Sequence, residues 1–152
     1  MKKILMVLGG IFAVLLFVGV IGIAIVAVKG NALDLESKQY VDGAIPAIVS
    51  AWEIKEIQNR ASPEFKATVS DGDLEKLLRK FRKLGKLKAY QGATGQANMS
   101  VTTQNGKVIS AAYAASAEFE SGPAEIYLSL IKHGNLWQIL GIRINSKLFL
   151  EQ

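Results

Sequence analysis

From Ile4 to Val28 the chain runs for 25 consecutive positions without a charge, with Met1, Lys2 and Lys3 before the run and Lys29 after it. As a helix rising about 1.5 Å per residue, this segment is about 37 Å long, enough to cross a hydrocarbon core of roughly 30 Å with some tilt. A secretory leader has an apolar region of only about 7–15 residues before its cleavage site. The one cleavage-like pattern, Gly30-Asn31-Ala32 before Leu33, lies beyond the run, so residues 4–28 read as a retained transmembrane anchor. The N-terminal amine, Lys2 and Lys3 outweigh Lys29 and Lys38, which Asp34 and Glu36 dilute. The positive-inside bias therefore predicts a cytoplasmic stub at residues 1–3 and an extracytoplasmic chain from Asn31 onward. The expected location is a cell inner membrane, crossed once, with the C-terminal domain in the periplasm or its equivalent.

Within the run, Gly9, Ala13, Val20, Ala24 and Ala27 fall along one helical stripe, and Gly9 with Ala13 is a small-xxx-small pair. Such a stripe suits close approach by a second membrane helix.

The rest of the 152 residues is large enough for one domain with its own core. The chain has no cysteine, which excludes disulfides, thiolate nucleophiles and Cys-based zinc sites. After a connector at residues 29–36, the stretch Ser37–Trp52 places Tyr40, Val41, Ala44, Ile45, Ile48, Val49 and Trp52 at amphipathic-helix spacing. Pro46 is expected to kink this helix or break it near Ala44. A second helical segment follows at Glu53–Asn59. Ser62 then caps a helix that has Pro63 at its first position. The clearest helix opens at Ser70-Asp71-Gly72-Asp73, carries Leu74, Leu77, Leu78, Phe81 and Leu84, and closes at Gly85.

From Lys86 the apolar period changes from 3.6 to 2. A short strand is expected at Leu87–Gln91, followed by a bend at Gly92-Ala93-Thr94-Gly95. Strands at Gln96–Gln104 and Lys107–Glu120 flank the hairpin signal Asn105-Gly106. Further strands are expected at Ala124–Lys132 and Leu136–Asn145, with Leu136, Leu140, Ile142 and Ile144 on one face of the last. The predicted fold is α+β: an N-terminal transmembrane helix, then helices packed on one face of a four-stranded antiparallel meander, with the domain at residues 37–148 and a tail at 149–152.

This order of elements, with Trp52, the Ala61-Ser62-Pro63-Glu64-Phe65 run, the helix ending Leu84-Gly85-Lys86-Leu87, the Gly92–Gly95 turn and Trp137 on the last strand, resembles small bacterial envelope proteins with a cystatin-like fold. That fold is shared with the nuclear-transport-factor-like superfamily, and the likeness covers residues 37–146. The resemblance implies a sheet wrapped around helices; members include enzymes, ligand binders and interaction modules. Its enzymes place an Asp or an Asp–His pair inside the cone. Here no acid lies between Gln96 and Ser116, so no catalytic residue carries over.

Read on their own, the polar residues give the same result. His133, the single histidine, sits in the turn Lys132-His133-Gly134-Asn135, away from the converging ligands or cleft that a metal site or general base requires. Asp71 and Asp73 suit a helix N-terminus, and Glu118 and Glu120 an exposed strand end. The Gly92–Gly95 loop has neither the Lys nor the following helix of a phosphate cradle. Catalytic, cofactor-binding and metal residues are therefore all read as none.

The cations are concentrated. Lys76, Arg79, Lys80, Arg82, Lys83, Lys86 and Lys88 fall within thirteen residues, so residues 74–88 carry +6 and the membrane flanks +3, against −4 on the mildly acidic remainder, for a net charge of +5. This basic surface suits anionic headgroups or an acidic protein. Nucleic acid is excluded as a partner on the outer side of a membrane. Residues 110–117, Ser-Ala-Ala-Tyr-Ala-Ala-Ser-Ala, leave room for closely packed helices or for a cavity. The expected function is a non-catalytic, membrane-anchored envelope interaction module or accessory subunit, with membrane lipids and other envelope proteins as partners. The alternative is a small-molecule or lipid binder with a cavity between sheet and helices.

Overall fold

The computed structural model describes residues 32–150. The chain divides into two units, Met1–Leu33 and Asp34–Gln152. The apolar run and its stripe of Gly9, Ala13, Val20, Ala24 and Ala27 lie outside the described residues. Among the described residues no helix is long and apolar enough to cross a membrane.

The second unit is α+β. Helix α1 occupies residues 32–51, followed by α2 (Ile54–Gln58), α3 (Pro63–Thr68) and α4 (Asp71–Phe81), which runs into a 3-10 turn at Arg82–Leu84. Four strands follow: β1 (Leu87–Thr102), β2 (Gly106–Phe119), β3 (Gly122–His133) and β4 (Leu136–Asn145). They form one antiparallel meander in the order β1-β2-β3-β4. Burial alternates along β2: Ala111, Tyr113, Ala115, Ala117 and Phe119 are buried, whereas Ala112 and Ser116 are exposed. The core therefore occupies one face of the sheet, where it also includes Val41, Ile45 and Ile48 of α1 and Leu74, Leu78 and Phe81 of α4.

The caps follow the sequence. Ser62 accepts from the Phe65 N–H with Pro63 at the first helical position, and Ser70 accepts from the Asp73 N–H. Gly85 ends the helical segment at a φ of 79°.

Four details differ from the expectation. Helix α1 is unbroken through Pro46, and residues 32–36, assigned by sequence to a connector, are already helical. Pro46 removes the N–H that would bond to the Asp42 carbonyl and crowds that carbonyl, but the buried stripe that continues on both sides carries the helix through it. The bend at Gly92–Gly95 does not separate two strands. It is a register shift between Tyr90 and Ala93 inside the single long β1, since a bulge absorbs an extra residue without ending the pairing. In β4 the inward face comprises Trp137, Ile139, Ile142 and Ile144, while Leu136 and Leu140 are exposed. Opposite Ser129 and Leu130 the register jumps from Gly141 to Ile139, so Leu140 is the extra residue of a bulge and the inward positions change from odd to even there.

Candidate functional site

On α4, Leu74, Leu78 and Phe81 face the core. At about 100° per residue, Lys76, Arg79 and Lys80 then lie together on the opposite, outward side, and Lys83 follows in the 3-10 turn, exposed. The first-turn acids are engaged locally: Ser70 Oγ donates to Asp73 at 2.8 Å, and Gln58 Nε2 donates to Asp71 at 2.6 Å. Lys76 reaches Asp73 only across an exposed 3.8 Å pair. Lys80 Nζ lies 4.9 Å from the centroid of Phe149, whose ring packs on Phe81. Leu77 borders this surface and is 40% exposed, giving the cationic face an apolar margin.

The structure does not bring all seven cations together. Arg82 folds back, donating to Glu75 Oε1 at 2.7 Å and to the Trp52 carbonyl at 3.0 Å, and so ties α4 to the end of α1. Lys86 and Lys88 lie beyond the Gly85 turn, and the Lys86 N–H is held by Glu120 Oε2 at 3.0 Å. Glu120 is thus a turn clamp, whereas Glu118 lies within β2. Phe81 packs on Trp52, which also packs on Phe119. The cationic helix therefore ends beside the last turn of α1, about 27 Å along that helix from Asp34.

A second polar assembly sits at the beginning of α1. Asp34 Oδ1 accepts the Ala97 N–H of β1 at 2.7 Å, and Ser37 Oγ shares a 2.7 Å bond with the Tyr113 hydroxyl of β2. Glu36 Oε2 accepts from Lys132 Nζ at 2.5 Å and from Trp137 Nε1 at 3.1 Å. The Lys132 side chain is only 11% exposed and lies over the Trp137 ring. The hydrogen bond from Lys132, aided by that from Trp137, holds the Glu36 carboxyl below its ordinary pKa against the opposing effect of burial. One turn of helix thereby contacts all four strands. The sequence reading used Asp34 and Glu36 only as charges diluting Lys29 and Lys38. The missed signal was spacing: Asp34 and Ser37 continue the buried stripe of Val41, Ala44 and Ile48, and polar groups on a core stripe need partners.

Further along α1, Asp42 accepts from Tyr90 at 2.8 Å and from Lys38 at 2.7 Å. Burial pushes the Asp42 pKa up, but these bonds and the Ala93 backbone N–H outweigh it and leave the carboxyl below its ordinary value. Tyr90 is shifted up, first by burial and then by the Asp42 carboxylate.

His133 is exposed at its turn and pairs with Glu64 of α3, Nε2 lying 2.9 Å from Oε1. The Glu64 carboxyl is held below its ordinary value, first by its own backbone N–H and then by the His133 bond. The described residues contain no cluster of three His, Asp or Glu side chains able to hold a metal ion.

The small residues of β2 divide between the two faces. Ala111, Ala115 and Ala117 are buried against the helices, while Ala112 and Ala114 line a shallow depression with Ser129, Gly141, Tyr127 and Arg143 on the open face. A groove of about 700 Å³ lies at the C-terminal turn, lined by Lys80, Gln91, Pro123, Ile144 and Phe149 among others. Compared with known proteins, the chain matches no protein-family model and no curated protein.

Proposed function

We propose that this protein is a non-catalytic, membrane-anchored envelope protein whose cystatin-like domain docks an acidic partner protein as an interaction module or accessory subunit. The observation that carries the proposal is the outward cationic face of α4, with Lys76, Arg79 and Lys80 on one side of a helix fixed to the core by its opposite side and Lys83 exposed in the turn that follows. Leu77 at its margin adds an apolar contact of the kind that accompanies charge in protein interfaces.

The anchor part of the proposal rests on the sequence: residues 4–28 have the length and flanking charge of a single span. The small-residue stripe from Gly9 to Ala27 offers a second, intramembrane contact.

The full chain, affinity-purified from detergent-solubilised membranes, is expected to bring down a stoichiometric partner with an acidic surface. Recovery as a lone protein, with the membrane fraction intact, would overturn the proposal. A second reading, a small-molecule or lipid binder, is supported by the groove under Phe149. It expects a ligand that co-purifies with the chain and is lost on Phe149→Ala.

A further inference from the structure

We infer that β1 is a pairing edge for a second copy of this chain, joining two sheets antiparallel about a two-fold axis at Ser100. The proposal is independent of the partner proposed for α4.

Strand β1 is at the edge of the sheet, with β2 on its only paired side. Its register with β2 is continuous from Ala93↔Ala115 to Thr102↔Gly106. Backbone groups in such a strand point alternately toward and away from the partner. The Ala97 N–H donates to Asp34, so it points away, and so do those of Met99 and Val101. Two turns of α1 separate Asp34 from Asp42, about 12 Å, which matches the spacing of Ala97 and Ala93 along β1, about 13 Å. The described part of helix α1 thus covers the edge from Ala93 to Ala97.

Beyond Ala97 no hydrogen bond from another described element reaches the edge. Residues 98–107 are all exposed, with Met99 at 42% and Val101 at 76%. Proteins ordinarily protect such an edge with Lys, Pro or a bulge. From Ala89 to Gly106 there is no charged residue and no proline, and beyond Ala93 the pairing has no bulge.

The register follows from which outward-pointing amides the described residues already hold. An antiparallel pair exchanges hydrogen bonds between residues that both point across the new seam. Pairing Met99 with Val101 of the second copy, and Val101 with its Met99, uses only the two amides that point away from β2 beyond Ala97. Centring the two-fold on Met99 instead requires the Ala97 amide, which Asp34 already holds. The chosen register puts Ser100 opposite Ser100 in a non-hydrogen-bonded pair. It also stacks Met99 on Val101 across the seam twice, with no like charges opposed.

Because the chain has no cysteine, single substitutions read this register directly. In the full-length protein in detergent, Ser100→Cys places two thiols on residues about 4.5 Å apart at Cα, within disulfide reach. Asn98→Cys places its thiols about 13 Å apart along the strands. Mild oxidation is expected to give a covalent dimer with Ser100→Cys and little with Asn98→Cys or with Asn105→Cys at the hairpin tip. Val101→Pro in the Ser100→Cys background removes a seam amide but no β1–β2 bond, so cross-linking should drop to the Asn98→Cys level. Val101→Lys, which keeps every amide, should also lower it by placing cations at the seam. Equal cross-linking at all three positions, as a dimer held only by its membrane helices would give, would overturn the inference. So would no cross-linking at Ser100.

Discussion

At Gly95 a Cβ would run into the Ala112 carbonyl oxygen and lie 2.8 Å from the Tyr113 Cα. Backbone cannot move aside cheaply there, because Tyr113 is buried and bonded through its hydroxyl to Ser37. Gly95→Ala is therefore expected to destabilise the domain by at least about 2 kcal/mol, as overpacking against a fixed neighbour does, measured by urea denaturation. Trp52 presents the opposite case. Its φ of 49° is unusual for a bulky side chain, a strain of about 1–2 kcal/mol. Its ring packs between Phe81 and Phe119, and its carbonyl accepts from Arg82. Losing such a ring costs about 3–5 kcal/mol, so Trp52→Gly should destabilise the fold although glycine relieves the strain; an unchanged midpoint would contradict this.

At the level of the element, α1 is a strut secured at both ends and along one side. Its polar attachments tie stability to pH. Asp42 and Glu36 have folded pKa values below their ordinary ones, so their contribution is fully present above the unfolded pKa, near 4, and is lost as pH falls through the lower folded value. Asp42→Asn should cost about 1 kcal/mol at pH 7, allowing for its partial exposure. The gap from wild type should narrow below about pH 4, where the wild-type carboxylate is itself protonated. Thermal melts at pH 7 and pH 3 compare the two. The apolar stripe of α1, the caps at Ser62 and Ser70 and the Asn105-Gly106 hairpin were legible in the sequence because each depends on neighbours within a few positions. The bulges at Tyr90–Ala93 and Leu140 were not. A bulge is defined by the partner strand, and one extra residue reverses the alternation that periodicity reads, so Trp137 and Ile139 replaced Leu136 and Leu140 on the inner face of β4. The Glu36–Lys132–Trp137 contact joins residues about a hundred positions apart and likewise lay beyond any local pattern.

At the scale of the whole molecule, the sequence showed where positive charge is concentrated, and the fold divides it. Arg82 serves the α1–α4 junction, Lys86 and Lys88 begin the sheet, and Lys76, Arg79, Lys80 and Lys83 form the outward face. The proposed function depends on those last four, whose side chains lie outside the core that Leu74, Leu78 and Phe81 build, with Lys80 also over the Phe149 ring. The measurement is co-purification from solubilised membranes of the full chain and of a variant carrying Lys76→Gln, Arg79→Gln, Lys80→Gln and Lys83→Gln, with melting temperature and membrane yield recorded for both. The expected result is a stoichiometric acidic partner with the wild type and its loss from the variant, yield and melting being little changed. Equal recovery of that partner with both proteins would contradict the proposal that the outward face of α4 is the docking surface.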